Sequence, residues 1–259
     1  MATALITGAS GGIGLELAKI HAREGHNLIL AARSNDKLST IKSDLERSFA
    51  IRVNILVIDL SVPGAAHKLF QQIEQLGIQV DFLINNAGFG TFGPFSEADI
   101  GKTEEMIRLN IEALTILTRL FLPGMLSRNT GRILNIASTA AFQPGPLMAV
   151  YFASKAYVLR FSEAIANELK GSGVRVTVYC PAATETGFQT TAQMEDSRLV
   201  KNRKLDSAEN VAVDAYKAMM SGQTIAIYGW INAMLARSTG LFPASLVAKI
   251  ARRMIERNP

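Results

Sequence analysis

A single cysteine, Cys180, stands among the 259 residues, so no internal disulfide can form and the fold does not depend on an oxidising compartment. No run of about 18 or more uninterrupted apolar residues occurs, which leaves a membrane-spanning helix unsupported. The opening residues, "MATALITGAS", lack a basic segment followed by an apolar one and a cleavage site. The cytoplasm is therefore the expected location. His21, His26 and His67 show no metal-ligand spacing with each other or with Cys180, so no metal is expected. The three histidines read as surface or packing residues, and Cys180 as a buried strand residue. Internal repeats, low-complexity tracts and linkers are missing as well, and 48% hydrophobic with 19% charged residues suits one globular domain over 1–259.

Acidic charge is scarce at one end of the chain. The formal net charge is +5, and from Ile231 onward Arg237, Lys249, Arg252, Arg253 and Arg257 stand against Glu256 alone. Basic stretches attract nucleic acid or anionic membranes. Here no aromatic residues interleave with the charges and no zinc-finger or RNA-recognition motif accompanies them, so nucleic acid is not an expected partner. From Ala244, helical spacing puts Leu246, Val247, Ile250 and Met254 on one face, with the basic residues largely elsewhere. The segment near 230–259 is thus expected to be a basic amphipathic appendage docked on protein, in the same subunit or across a homodimer or homotetramer interface. Contact with a membrane surface is the less favoured reading.

What is present is an alternation. Apolar runs at 2–7, 27–32, 53–59, 80–85, 132–137, 174–180 and 224–228 are separated by segments long enough for helices. Continuous apolar strands alternating with helices predict a parallel sheet of seven strands covered on both faces, a doubly wound Rossmann-type α/β fold. "ELKGSG" is expected to end a helix at a glycine, and "DSAE" at 206–209 to open another as a capping box.

In such a fold ligands bind beyond the carboxyl ends of the strands. After the first strand comes "TGASGGIG", whose glycines at 8, 11, 12 and 14 permit a tight turn and bring backbone amides near a pyrophosphate at the start of a helix near Ile13. The loop lacks the lysine and hydroxyl of a nucleoside-triphosphate loop. At the end of the second strand Ala32 stands where an NAD-binding fold places an acidic residue, and Arg33 follows it. A guanidinium grips a 2′-phosphate bidentately, so NADP(H) is favoured over NAD(H). Farther on, "YFASK" sets Tyr151 and Lys155 four residues apart on one helical face, a spacing that fits either a solvated helix surface or a phenol beside an ammonium.

Taken in order, "TGASGGIG", Asp59 in "VIDLS", "NNAG" at 85–88, Asn110 in "RLNIEAL", Ser138 in "NIAST", "YFASK" and "CPAATETGF" resemble the short-chain dehydrogenase/reductase family from Ala2 to about Tyr228. The resemblance implies that Tyr151 is the general acid or base, Ser138 the hydroxyl that binds the substrate oxygen, and Lys155 the lysine that lowers the tyrosine pKa and holds the nicotinamide ribose. Asn110 would help to hold a water in a proton relay. It also implies cofactor contacts at Gly8, Ser10, Gly12, Ile13 and Gly14, at Asp59 and Leu60, at Asn86, Ala87 and Gly88, and at Pro181, Thr184 and Thr186. Ala182 departs from the family, which commonly has glycine there, and tolerates fewer backbone angles. By the same resemblance 187–205 is a mobile lid. Phe89, Phe92, Phe95, Phe142 and Leu147 predict an apolar pocket for a hydrophobic ketone, aldehyde or acyl-type carbonyl, or the corresponding alcohol. The alternative is a catalytically silent NADP(H)-binding or sensing protein on the same fold.

Overall fold

A computed structural model describes residues 1–194, 196–198 and 205–256. Seven strands form one sheet: β1 (Thr3–Thr7), β2 (Asn27–Ala32), β3 (Val53–Val57), β4 (Phe82–Asn85), β5 (Gly131–Ile136), β6 (Val174–Cys180) and β9 (Ile225–Ile227). Their spatial order is β3-β2-β1-β4-β5-β6-β9, and every pairing is parallel. The seven-stranded doubly wound sheet expected from the alternation is therefore present. A separate two-stranded pair, β7 (Thr184–Glu185) with β8 (Asp206–Ser207), lies beyond the end of β6.

Apolar residues at consecutive strand positions serve two cores because successive side chains point to opposite faces of the sheet. Ala4, Ile6, Leu28, Leu30 and Ile84 pack on one face with Leu17 of α1 (Gly12–Arg23), Leu38 of α2 (Asn35–Ser48) and Ala215 of α8 (Ala208–Ser221). Leu5, Ile29, Leu83, Ile133 and Val176 pack on the other with Leu69 of α3 (Ala65–Gln75) and Leu117 of α5 (Leu114–Ser127). The third helix on that face is α6 (Ala149–Glu168), which buries Val158 and Leu159 against Val178 and Cys180. Between α4 (Ile100–Ile107) and α5 a π-turn, Arg108–Ala113, keeps the run helical from Ile100 to Ser127. By length and composition this run could cross a membrane, but Met106, Leu114, Leu117, Phe121 and Met125 bury a stripe of it in the protein.

Local signals shifted by a few residues. The strand expected over 53–59 ends at Val57, which frees Asp59 to cap the following turn through Ser61. Helix α6 stops at Glu168, and Gly171 takes φ 89° in the turn beyond rather than capping the helix itself. Helix α8 is capped by Ser207, whose hydroxyl accepts from the Asn210 N–H, so the cap lies one residue later than "DSAE" implies and Glu209 is not the third helical residue of a capping box. Cys180 is buried, and burial pushes its thiol up to about 12.

Two of the histidines form a packed pair. His21 is fully buried, and its Nδ1 lies 2.9 Å from Nδ1 of His26, so one ring must donate and the other accept. Phe82 and Tyr216 pack their edges on the His21 ring. Burial, with His26 next to it, lowers the His21 pKa from 6.5 to about 3. The unfolded chain therefore takes up a proton below pH 6.5 that the folded chain refuses, and stability is lost as pH falls from 6.5 towards 3. The slope from this residue is at most about 1.4 kcal/mol per pH unit. His21→Leu keeps the packing and is expected to be less acid-sensitive than wild type. Urea midpoints at pH 7.5 and pH 5.0 for both proteins test this, and an equal acid shift in the two would remove His21 as the cause.

Candidate active site

The strand order reverses between β1 and β4, so the loops that follow these strands diverge and leave a crevice. The Thr7 hydroxyl bonds the Ile84 carbonyl and accepts the N–H groups of Asn86 and Ala87. The Asn86 amide in turn donates to the carbonyls of Thr7 and Gly8. "NNAG" thus pins the glycine loop. Within that loop Gly8 and Gly12 have φ of 67° and 54°, a region that favours glycine. A Cβ on Gly14 would lie 2.5 Å from the Gly8 carbonyl oxygen, and one on Gly12 would press on the Thr186 side chain at 3.0 Å. Helix α1 presents its N-terminus here with no acidic residue in its first turn, a ready seat for an anion. These features fit a dinucleotide pyrophosphate at the glycine loop, beside the N-terminus of α1 and Thr186.

Farther along the crevice Arg33 lies 3.9 Å from the Asp59 carboxylate, with 72% of its side chain exposed. Partial burial raises the Asp59 pKa, but the Ser61 hydroxyl and N–H and the Arg33 charge outweigh it and hold the carboxyl below its usual range. The Leu60 side chain is buried in the core with the residues of α3, so the cofactor contact expected at this position falls to its backbone. Beyond β6, the Pro181 carbonyl accepts from the Thr139 N–H and the Thr184 hydroxyl donates to the Ala182 carbonyl. Ala182 has no positive φ, so the alanine at the family's glycine position introduces no backbone strain.

Ser138, Tyr151 and Lys155 converge at the carboxyl end of β5. The Ser138 hydroxyl hydrogen-bonds the Tyr151 phenol and also accepts from the Ala140 N–H at 3.1 Å. Lys155 is buried, donates to the Ile136 carbonyl at 2.8 Å, and places Nζ 5.8 Å from the centre of the Tyr151 ring. Burial lowers the Lys155 pKa to about 8 and raises that of Tyr151 to about 12, against which the Ser138 hydrogen bond works only in part. The expectation that Lys155 depresses the tyrosine pKa is therefore not met in this arrangement. Its charge is turned to a carbonyl, and desolvation of the phenol wins.

Asn110 occupies the π-turn, and its side chain does more than the sequence implied. Its amide donates to the Phe89 carbonyl and to the Ser154 hydroxyl, while its oxygen accepts the Phe89 N–H. Ser154 donates to the Tyr151 carbonyl. Asn110 thereby joins the loop after β4 to the first turn of α6. Gly88 lies between them, where a Cβ would come within 3.1 Å of the Asn110 oxygen and 3.4 Å of Lys155 Nζ. Ser154 was not foreseen, although it sits inside "YFASK" as a polar residue on the inward face.

An apolar cluster packs beside Tyr151, and it differs in membership from the expected pocket set. Phe92 and Leu147 belong to it, together with Met148, Phe152 and Met194. Phe188, opening the short helix α7 (Phe188–Thr191), packs on the Tyr151 ring at 5.1 Å. Phe142 instead packs in the core beside Val158 and Leu159, and Phe95 is 66% exposed. Phe89 is held near the site through its backbone. Gly90 allows the close approach of Phe188, Met148 and Tyr151, since a Cβ there would meet all three within 3.2 Å. Of the expected lid over 187–205, residues 195 and 199–204 lie outside the described residues; Phe188, Ala192 and Met194 belong to this cluster.

With this geometry in view, the likenesses to known proteins are informative. A very-long-chain 3-oxoacyl-CoA reductase of Phaeosphaeria nodorum is 37% identical over 177 residues, 67% of this chain, which spans only 52% of that relative's length. The enzyme of the same name from Rattus norvegicus is 33% identical over 248 residues, 90% of this chain and 75% of the relative. A short-chain dehydrogenase from Sphingobium yanoikuyae, solved in complex with NADPH, superposes with a TM-score of 0.84 at 31% identity, covering 93% of this chain and 95% of the other. The family described as short chain dehydrogenase matches residues 2–197, and the chain belongs to that family.

Proposed function

We propose that the chain is an NADP(H)-dependent reductase of hydrophobic carbonyl compounds, with acyl-type ketones the favoured class and the alcohols as products or, in reverse, substrates. The observation that carries this reading is the meeting of Ser138, Tyr151 and Lys155 beside an apolar wall of Met148, Phe152 and Phe188. A purely nucleotide-sensing protein has no use for a buried acid-base group. The names of the two relatives support an acyl chain as substrate, and the NADPH in the Sphingobium protein supports the cofactor. Arg33, exposed at the crevice with no acidic residue at position 32, supports a 2′-phosphate partner.

The cofactor, when bound, supplies the hydride that reaches the carbonyl carbon. The residues of the chain handle the oxygen. Ser138 donates a hydrogen bond to it as negative charge develops. Tyr151, whose phenol remains protonated at neutral pH, delivers its proton to the same oxygen and is left as phenolate. The Lys155 ammonium then stabilises that phenolate, and Asn110 keeps the helix carrying both residues in register with the loop after β4. A phenol pushed up to about 12 is in its protonated form at pH 7, the form from which a proton can be given to the carbonyl oxygen.

Tyr151→Phe removes the proton donor and keeps the ring that packs on Phe188. It is expected to lower reduction of a medium-chain ketone at least about 100-fold while cofactor binding, followed by fluorescence titration, changes little. Retention of more than about a tenth of the activity would count against the acid-base role and for the silent binding protein.

A second expectation concerns pH. Lys155 loses its charge near 8, whereas Tyr151 keeps its proton to about 12, so the alkaline fall in kcat/KM for reduction belongs to the lysine. The efficiency should drop as pH rises through 8 and approach about tenfold per unit above it. A profile flat from pH 7 to 10 would contradict this.

For cofactor choice, Arg33→Ala should reduce the efficiency with NADPH about 10- to 100-fold and leave that with NADH nearly unchanged, as expected for loss of a charge-assisted pair. An unchanged ratio of the two efficiencies would rule out Arg33 as the phosphate anchor.

A further inference from the structure

The carboxyl-terminal segment packs differently from the amphipathic helix expected in the sequence. Helix α10 (Ala244–Ile255) turns Val247, Ala251 and Ile255 inward, and Ile255 joins Met148, Phe152, Ala192 and Met194 in the apolar cluster beside Tyr151. Leu246 and Ile250 were expected on the packed face, yet they are 44% and 51% exposed. The helix before it, α9 (Trp230–Ser238), buries only Ala236 fully. Its opposite face shows Trp230, Ile231, Met234 and Leu235 to solvent, and Leu241 and Phe242 in the connecting turn are exposed as well. Two consecutive helices and their turn thus expose large apolar side chains one after another along the chain, more than scattered surface apolar residues require.

We propose that this surface seats on an anionic lipid bilayer, so that Tyr151 and the apolar cluster beside it lie next to the membrane. Two observations favour lipid over a second copy of the chain. From Gly229 to Ile255 there is no acidic residue, while Arg237, Lys249 and Arg253 are basic; Arg252 is already paired, with Glu256 at 2.8 Å. A two-fold interface would bring this patch against itself and set like charges across it without acidic partners. Anionic headgroups supply the missing charge, and exposed basic side chains beside apolar ones are the pattern of interfacial helices. Trp230, the only tryptophan in the chain, is 76% exposed, and its amphipathic ring suits the headgroup boundary. The second observation is continuity: the inner end of α10 packs Ile255 into the apolar cluster beside Tyr151, while its outer face bears Leu246 and Ile250. A water-insoluble carbonyl compound dissolved in the bilayer would reach that cluster along this helix. That last point rests on the proposed substrate class; the membrane contact itself does not.

The test is flotation of the full chain with vesicles of phosphatidylcholine alone or with 30 mol% phosphatidylglycerol, a composition chosen for the experiment. Wild type is expected to float with most of its mass on the anionic vesicles at low salt, to bind much less at 0.5 M salt, and to leave zwitterionic vesicles largely unbound. Leu246→Glu with Ile250→Glu, both surface positions, should abolish flotation, and Lys249→Gln with Arg253→Gln should weaken it about fivefold per charge removed. Circular dichroism and reduction of a water-soluble ketone confirm that each variant is folded and active. Absence of flotation by wild type overturns the proposal. So does sedimentation showing a dimer that Leu246→Glu with Ile250→Glu dissociates, which would assign the surface to a second copy. Because binding is measured without turnover, flotation by a protein inactive on every carbonyl tried would refute the reductase reading and leave the membrane contact standing.

Discussion

One buried hydroxyl holds the cofactor crevice in shape. At the reversal of strand order β1 and β4 lie side by side, but the chain leaves them in different directions, and their last backbone groups lose their ladder partners. Thr7 Oγ1 makes good that loss with its full capacity, one donor and two acceptors, bonding Ile84, Asn86 and Ala87 at once. Asn86 returns the contact to Thr7 and Gly8. The glycine loop is therefore fixed from below before any ligand arrives. Deeper in the sheet, Asn85 extends the linkage by donating to Thr118 on α5 and to Asn135 on β5, and Asn135 donates to Ser162 on α6. The helices carrying Asn110 and Tyr151 are thus tied to the strands that end at the crevice.

Desolvation then sets the chemistry. The same burial moves the two key groups in opposite directions because it disfavours the charged form of each, raising the phenol and lowering the ammonium. A neutral tyrosine with a readily neutralised lysine is a resting state that holds its proton close. Reorienting Lys155 away from the Ile136 carbonyl would bring its charge to the phenolate as that charge forms. The separation of 5.8 Å between Nζ and the ring leaves the pair near enough for this without a change of backbone.

Much of the architecture was legible because a parallel sheet covered on both sides writes itself as apolar runs at regular intervals, and each motif falls where a strand ends. Ser138, Tyr151 and Lys155 are singled out by the ordered resemblance, since the spacing of Tyr151 and Lys155 alone fits a solvated helix surface equally well. Residues that act through tertiary contacts could not be read in this way. Ile255 reaches the cluster beside Tyr151 from the far end of the chain, and Leu60 turns into the core although its neighbour Asp59 faces the crevice. Phe95 and Phe142 carried the same aromatic signal as Phe92 and ended elsewhere, since an aromatic side chain serves a pocket, a core or a surface equally well. Helical periodicity on α10 identified an apolar stripe but not its centre, so Leu246 and Ile250 were assigned inward when Ala251 and Ile255 are the residues that pack.

The residues of the crevice differ widely in how freely they can be inherited in altered form. Gly14 has no room for even one added carbon, and Gly88 almost none, so both are locked by their neighbours. Arg33, by contrast, projects from the rim with 72% of its side chain exposed and a single loose ion pair. A change there touches no packing and should leave fold stability within about 0.5 kcal/mol. On the role proposed for Arg33, cofactor choice would be free to change by substitution at the rim while the tightly packed glycine loop stays the same.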